Sequence, residues 1–94
     1  MTWEEKFAAL KCLCDTCLKM RSPGDWYVSA VGRELKKPGS GILEGQYGNG
    51  KMPQEAVEND WNKITNSNYY VVINALTDKR REVQWNGYMW KDRI

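Results

Sequence analysis

The stretch Tyr69-Tyr70-Val71-Val72-Ile73-Asn74-Ala75-Leu76 decides the fold, because it is the strongest strand signal in the chain. β-Branched and aromatic residues fill most of it, and these residue types favour strands. Turn-forming sequences bound it on both sides, at Asn66-Ser67-Asn68 and at Thr77-Asp78-Lys79-Arg80. A short continuous apolar run between turns is typical of a strand with both faces covered. We therefore predict that this strand is central in a sheet.

The segments on either side of this strand indicate one helix and one further strand. Pro53 suits the first position of a helix that runs to about Thr65. Its apolar face is formed by Ala56, Val57, Trp61 and Ile64. After the central strand, residues 82–85 alternate in polarity, and the last strand continues past a turn or bulge at Asn86-Gly87 to Tyr88-Met89-Trp90.

The N-terminal half predicts a helix followed by a hairpin. Apolar residues recur at helical spacing over residues 2–20, and Thr2 with Glu5 matches a capping box. Aromatic and β-branched residues predict strands over 26–31 and 42–47. The polar segment 33–41 between them is predicted to form the long basic tip of this hairpin.

The predicted order of elements is α-β-β-α-β-β. This order favours an α+β two-layer sandwich, in which one four-stranded antiparallel sheet carries both helices on one face. The chain has 94 residues, so we predict that residues 1–94 form a single small domain.

The composition argues against most familiar enzyme classes. The chain contains no His, which removes the commonest general base, the triads built on it and every His-containing metal site. A hydrolase that uses carboxylates alone, such as Glu44 with Glu55 or Asp60, has no supporting spacing. We therefore predict a non-enzymatic protein with no catalytic residues and no cofactor.

Two motifs resemble ligand sites, and both have structural interpretations. Residues 45–52 nearly match the phosphate-binding loop G-x-x-x-x-G-K-[ST], but Met52 stands where Ser or Thr is needed, so a glycine turn is favoured. Cys12, Cys14 and Cys17 lie on the predicted first helix, where their side chains diverge and predict no metal site. We expect Cys14 and Cys17 to pack in the core as free thiols, with a redox-sensing role as the alternative.

Basic and aromatic residues are the candidate binding groups. The basic residues Arg33, Lys36 and Lys37 fall in one predicted hairpin tip, and Lys79, Arg80 and Arg81 fall in the other. Hairpins lying side by side would join the two tips into one positive edge, although basic hairpin ends also serve solubility and protect sheet edges. Tyr88 and Trp90 are the aromatic partner-binding candidates. Trp3, Trp26, Trp61 and Trp85 are assigned to the core.

A resemblance to a protein group adds to these expectations. Residues 25–30 and 43–61 contain a W-x-V strand followed by Gly45-Gln46-Tyr47-Gly48-Asn49-Gly50-Lys51-Met52-Pro53-Gln54-Glu55-Ala56-Val57. This segment resembles the G-x-Y-G-x-G-x-T-P-E-E-A-V turn and helix of small phage and prophage accessory proteins, with Met52 and Gln54 in place of Thr and Glu. The resemblance implies an origin in a mobile element and names no catalytic residue.

The resemblance leads to two functional hypotheses. Small phage proteins without enzyme motifs are often inhibitors of host machinery, including anti-CRISPR and other anti-defence proteins. We therefore predict a binding protein that inhibits or modulates a host protein or nucleoprotein complex by surface occlusion. The alternative is a small RNA- or DNA-binding domain that uses the basic hairpin tips directly. The oligomeric state remains open.

The sequence also predicts where the protein works. No apolar run approaches the length of about 18 residues that marks a membrane span. The first residues lack the basic-then-apolar order of a signal peptide. We expect the cytoplasm of the host cell and no membrane partner.

Overall fold

Two helices and eight short strands make up the computed structural model, which describes residues 1–93. The elements in chain order are α1 (Trp3–Leu13), β1 (Thr16–Ser22), β2 (Asp25–Ala30), β3 (Arg33–Lys36), β4 (Glu44–Gly45), β5 (Gly48–Gly50), α2 (Pro53–Ile64), β6 (Tyr70–Ile73), β7 (Arg81–Trp85) and β8 (Trp90–Asp92). No helix among these residues is long and apolar enough to cross a membrane.

The strands form two antiparallel sheets. The first has three strands in the order β1-β2-β5, and the second has five in the order β4-β3-β6-β7-β8. The α+β class is therefore confirmed, whereas the prediction of one four-stranded sheet is wrong. Four strands are additional: β1 and β3 come from segments assigned to a helix and to a loop, β5 comes from the predicted glycine turn, and β8 arises because the predicted last strand is divided in two.

The N-terminal helix is shorter than predicted. Its start is confirmed, because the Glu5 backbone nitrogen donates to Thr2 Oγ1 and the Thr2 nitrogen donates to Glu5 Oε1. The helix ends at Leu13, and the predicted C-terminal third is strand β1. In β1, Leu18 pairs with Val28 and Lys19 pairs with Tyr27, so alternation replaces the helical stripe.

The predicted central strand is confirmed as β6. All four of its residues are buried, and it lies in the middle of the five-stranded sheet between β3 and β7. The predicted polar loop is wrong at its start, because β3 occupies residues 33–36 and pairs with β6. The predicted strand over 42–47 is reduced to the two residues of β4, and β5 follows separately at Gly48–Gly50.

The chain passes from one sheet to the other at Gly32. Its φ of 71° lies in the left-handed region that favours glycine. The Gly32 carbonyl accepts a hydrogen bond from the Asn74 nitrogen at 2.8 Å, which ties the crossing to the end of β6. A Cβ atom at residue 32 would lie 2.8 Å from Asn74 Oδ1, so the Asn74 side chain would have to shift.

Helix α2 provides the surface that both sheets share. The predicted apolar face is confirmed, since Ala56, Val57, Trp61 and Ile64 are all buried. The core combines them with residues of α1, β2, β3, β6 and β7, namely Leu10, Leu13, Val28, Leu35, Val71, Ile73 and Val83. Core residues of α1 and of both sheets therefore pack together with the apolar face of α2.

Candidate interaction surfaces

Arg33 is buried and forms an ion pair, which corrects its assignment to a basic hairpin tip. Its Nη2 atom donates to Asp60 Oδ1 at 2.6 Å, and both side chains are completely shielded from solvent. The same Nη2 also lies 3.5 Å from the Gln46 carbonyl oxygen. Among the described residues, Arg33 Nε and Nη1 and Asp60 Oδ2 have no hydrogen-bond partner. Arg33 therefore connects β3 to α2 and is not available to a partner.

The buried pair changes the acidity of Asp60. Burial raises the pKa of the Asp60 carboxyl above its ordinary value, and the attraction of the Arg33 guanidinium opposes that rise. The Cys14 thiol lies within range of both charges, and burial raises the pKa of this thiol. A raised pKa disfavours the reactive thiolate, so Cys14 is suited to packing.

The three cysteines occupy different elements, so the prediction that all lie on one helix is wrong. Cys12 is exposed on α1, Cys14 follows that helix, and Cys17 is half-buried in β1. Within residues 1–93, no group of three or more Cys, Asp or Glu side chains could hold a metal ion.

The remaining basic candidates lie at opposite ends of the five-stranded sheet. Lys36 pairs with Tyr70, whereas Arg81 pairs with Ile73, three residues further along β6. This offset corresponds to about 10 Å along a strand. Lys37 lies beyond Lys36 at one end, and Lys79 and Arg80 precede Arg81 at the other. The single positive edge assumed from the sequence is therefore not formed.

Ion pairs occupy the end that contains Arg80 and Arg81. Arg80 Nη2 lies 2.8 Å from Glu82 Oε2, and Arg81 Nη2 lies 3.2 Å from Asp92 Oδ1. The hydrogen bond from Arg80 lowers the pKa of the Glu82 carboxyl. A shallow depression of about 320 Å³ is lined by these four side chains. A ligand there would have to displace both pairs, which makes this end a weak binding candidate.

Trp90 belongs to the core packing, which corrects its assignment as an exposed anchor. Its ring centroid lies 5.8 Å from that of Trp61 and 5.2 Å from that of Trp85, with edge-to-face geometry. Its Nε1 donates to the Ala9 carbonyl at 3.1 Å, so the side chain also connects β8 to α1. Local spacing does not predict this contact, which spans 81 positions of the chain.

Tyr88 is exposed, at the tip of the turn between β7 and β8. Tyr88 is 89% exposed, and the neighbouring Met89 is 59% exposed. Two hydrogen bonds hold the turn, because Asn86 Oδ1 accepts from the Tyr88 and Met89 nitrogens at 2.9 and 3.0 Å. Gly87 has a φ of 101°, which other residues rarely adopt. This β7–β8 turn, residues 86–89, lies at the same end of the sheet as Lys37.

A second surface was missed in the sequence analysis, namely the face of the three-stranded sheet that points away from the helices. Tyr27 lies on it, with the Arg21 guanidinium carbon 4.8 Å from the ring centroid. Tyr47 lies at its edge, with Lys63 Nζ 5.7 Å from the ring centroid. The sequence analysis missed this surface because it assigned residues 2–20 to a helix that stops at Arg21, so neither Lys19 nor Arg21 was placed in a sheet.

The glycines of the phosphate-loop-like segment have a packing role. A Cβ atom at residue 48 would lie 2.5 Å from the Asp60 nitrogen, and one at residue 50 would lie 2.9 Å from the Ala56 nitrogen. Strand β5 therefore contacts the backbone of α2 directly, which supports the structural interpretation of the motif.

Comparisons with known proteins identify no relative. No family model, no curated protein and no solved structure matches this chain.

Proposed function

We propose that this chain is a non-enzymatic binding protein of phage type, which inhibits or modulates a host protein by covering part of its surface. An anti-defence role, such as inhibition of a CRISPR complex, is the form of this function that the sequence resemblance implies. The observation that carries the proposal is the β7–β8 turn, which holds an aromatic side chain and a methionine in solvent.

The turn has the properties of an anchor for a protein partner. Tyr and Met are both enriched at protein interfaces, where a large side chain enters a pocket of the partner. The hydrogen bonds of Asn86 fix the turn before binding, so less conformational entropy is lost on association. Lys36 and Lys37 lie at the same end of the sheet and favour a partner surface that is acidic around the pocket.

Affinity capture tests the proposal. The tagged protein is incubated with a nuclease-treated lysate of a bacterial host, beside a Tyr88→Ser/Met89→Ser variant and a Leu76→Ser control. Leu76 is 97% exposed in the turn at the other end of the sheet, so its variant removes an exposed apolar side chain outside the β7–β8 turn. We expect the wild type and the control to retain the same host protein in a saturable manner and the double variant to lose it. Retention by all three would reject the turn as the binding surface, and the lack of any saturable partner would reject the function.

A further inference from the structure

The outward face of the three-stranded sheet brings two tyrosines and two basic residues together, and Lys63 reaches the edge of this face from the last turn of α2. In the adjacent strands, Val28 and Gly48 pair with each other and pack towards α2. Strand alternation therefore directs Tyr27, and its register partner Lys19 on β1, to the opposite side. Tyr47 precedes β5 at the edge of the same face. We call this surface the tyrosine face and define it by Lys19, Arg21, Tyr27, Tyr47 and Lys63.

Each tyrosine ring of this face has a cation beside it. Arg21 lies over Tyr27, while Lys63 lies over Tyr47 and also donates from Nζ to the Tyr47 carbonyl oxygen at 3.1 Å. Tyr47 is 56% exposed and Tyr27 is half-buried. A nucleobase can stack on an aromatic ring or on the plane of a guanidinium, and both are present here.

The charge of the tyrosine face favours a polyanion. Lys19, Arg21 and Lys63 are basic, and the Asp25 carboxylate pairs with Arg21 at 3.1 Å. That pair is exposed, and such pairs contribute little, so a phosphate group can compete for Arg21. With Asp25 included, the three basic residues still leave the face net positive.

We infer that the tyrosine face binds single-stranded nucleic acid, with bases stacked on Tyr27 and Tyr47 and phosphates held by Lys19, Arg21 and Lys63. An unpaired strand exposes the faces of its bases, whereas a duplex hides them within its stack. The grooves of a duplex admit a helix or a two-stranded ribbon, and this surface is the broad face of a three-stranded sheet. The inference stands on observations separate from those that support the β7–β8 turn.

Fluorescence anisotropy with a labelled oligothymidine tests this inference. A probe of about 12 nucleotides covers the site sizes usual for such surfaces. We expect saturable binding at low salt, and much weaker binding of the same strand annealed to its complement. Three phosphate contacts to a single strand give a log–log salt slope of about −2, so a fourfold rise in salt should weaken binding roughly 20-fold.

Substitutions at Tyr47 separate stacking from charge. Tyr47→Ala should weaken binding about 10- to 100-fold, because stacking on one aromatic side chain accounts for a change of that size. Tyr47→Phe should bind as the wild type does, since it keeps the ring. Lys19→Gln should make the salt slope shallower by about 0.7. Leu76→Ala is the control, because this side chain is 97% exposed and lies outside the tyrosine face, so its loss should leave the affinity unchanged.

Several outcomes would overturn the inference. These are the absence of saturable binding at low salt, equal affinity for the duplex, and a Tyr47→Ala variant that binds as tightly as the wild type. If the wild type binds no oligonucleotide and the Tyr47→Ala variant no longer retains the host protein of the lysate experiment, the face belongs to a protein partner instead. If only the Tyr88→Ser/Met89→Ser variant loses that host protein, the oligonucleotide experiment alone decides this inference.

Discussion

Arg33 on β3 donates a hydrogen bond to Asp60 on α2 across 2.6 Å, and neither side chain reaches solvent. The pair joins the five-stranded sheet to the helix that also carries the three-stranded sheet. Because three of its polar atoms have no partner among the described residues, the pair is not a fully satisfied network. Removal of one partner and replacement of both partners by apolar residues should therefore have different consequences for stability.

Removing Asp60 alone and removing Arg33 alone should lower the stability by different amounts. Asp60→Leu leaves a buried guanidinium that has lost its acceptor and cannot lose its proton, and it should lower the free energy of unfolding by about 3–5 kcal/mol. Arg33→Met leaves a carboxyl that can become neutral, so its cost should be smaller. The double variant Arg33→Met/Asp60→Leu should recover part of the loss. Urea unfolding of all four proteins measures this, and equal costs for the two single variants would contradict the argument.

The pH dependence of stability should report the same carboxyl. Because burial raises the pKa of Asp60 in the folded state, the folded protein holds this proton more tightly than the unfolded chain does. The contribution of Asp60 to stability is therefore present below its ordinary pKa of 3.8 and lost as the pH rises through the folded value.

The comparison with Asp60→Asn isolates this contribution, because the amide does not titrate. As the pH falls from neutral towards 4, the free energy of unfolding of the wild type should improve relative to that of Asp60→Asn. Urea unfolding at several pH values gives the difference directly. A difference that shrinks on acidification would mean that Arg33 lowers the pKa of Asp60 more than burial raises it.

Periodicity in the sequence was sufficient to predict those elements whose apolar pattern lies within one short segment. The apolar spacing of α2 and the apolar run of β6 are local patterns, and both elements are confirmed. Strand β1 was missed because short apolar runs fit either period, and its pairing with β2 decides between them.

The binding candidates depended more on distant contacts, and fewer of them are exposed as expected. Arg33 is buried because Asp60 lies 27 positions later, and Trp90 is partly buried because it reaches Ala9 and Trp61. Neither partner can be inferred from local spacing. Tyr88 is exposed as predicted, since a turn residue needs no distant contact for its position.

The contact between β5 and α2 should not tolerate a side chain at residue 48. Gly48→Ala places its Cβ 2.5 Å from the Asp60 nitrogen, and overpacking of this kind typically costs about 1–3 kcal/mol or more. Gly45→Ala is the control, because nothing lies within 4 Å of its Cβ position. Thermal unfolding should show a lower midpoint for Gly48→Ala only. Similar midpoints for both variants would show that β5 can move away from the helix at little cost.

Trp61 should be essential for the aromatic cluster. Its ring contacts those of Trp85 and Trp90, with centroids 4.8 and 5.8 Å away, and the residue is 6% exposed. Trp61→Ala should lower the free energy of unfolding by about 3–5 kcal/mol, the usual cost of removing a large core aromatic. Trp90→Ala should also destabilise the protein. An unchanged denaturant midpoint for Trp61→Ala would contradict the packing described for α2.

The separation of the two basic groups gives a kinetic prediction for the proposed partner. Lys36→Glu/Lys37→Glu changes the end of the sheet that carries the β7–β8 turn, whereas Lys79→Glu/Arg80→Glu changes the opposite end. Charges near an interface act mainly on the association rate, so only the first variant should bind the captured host protein more slowly. Tyr88→Ala should instead accelerate dissociation, because it removes a buried anchor. Surface plasmon resonance at two salt concentrations distinguishes these effects, and unchanged thermal midpoints confirm that the variants are folded. Equal slowing by both charge variants would mean that the partner covers the whole length of the sheet.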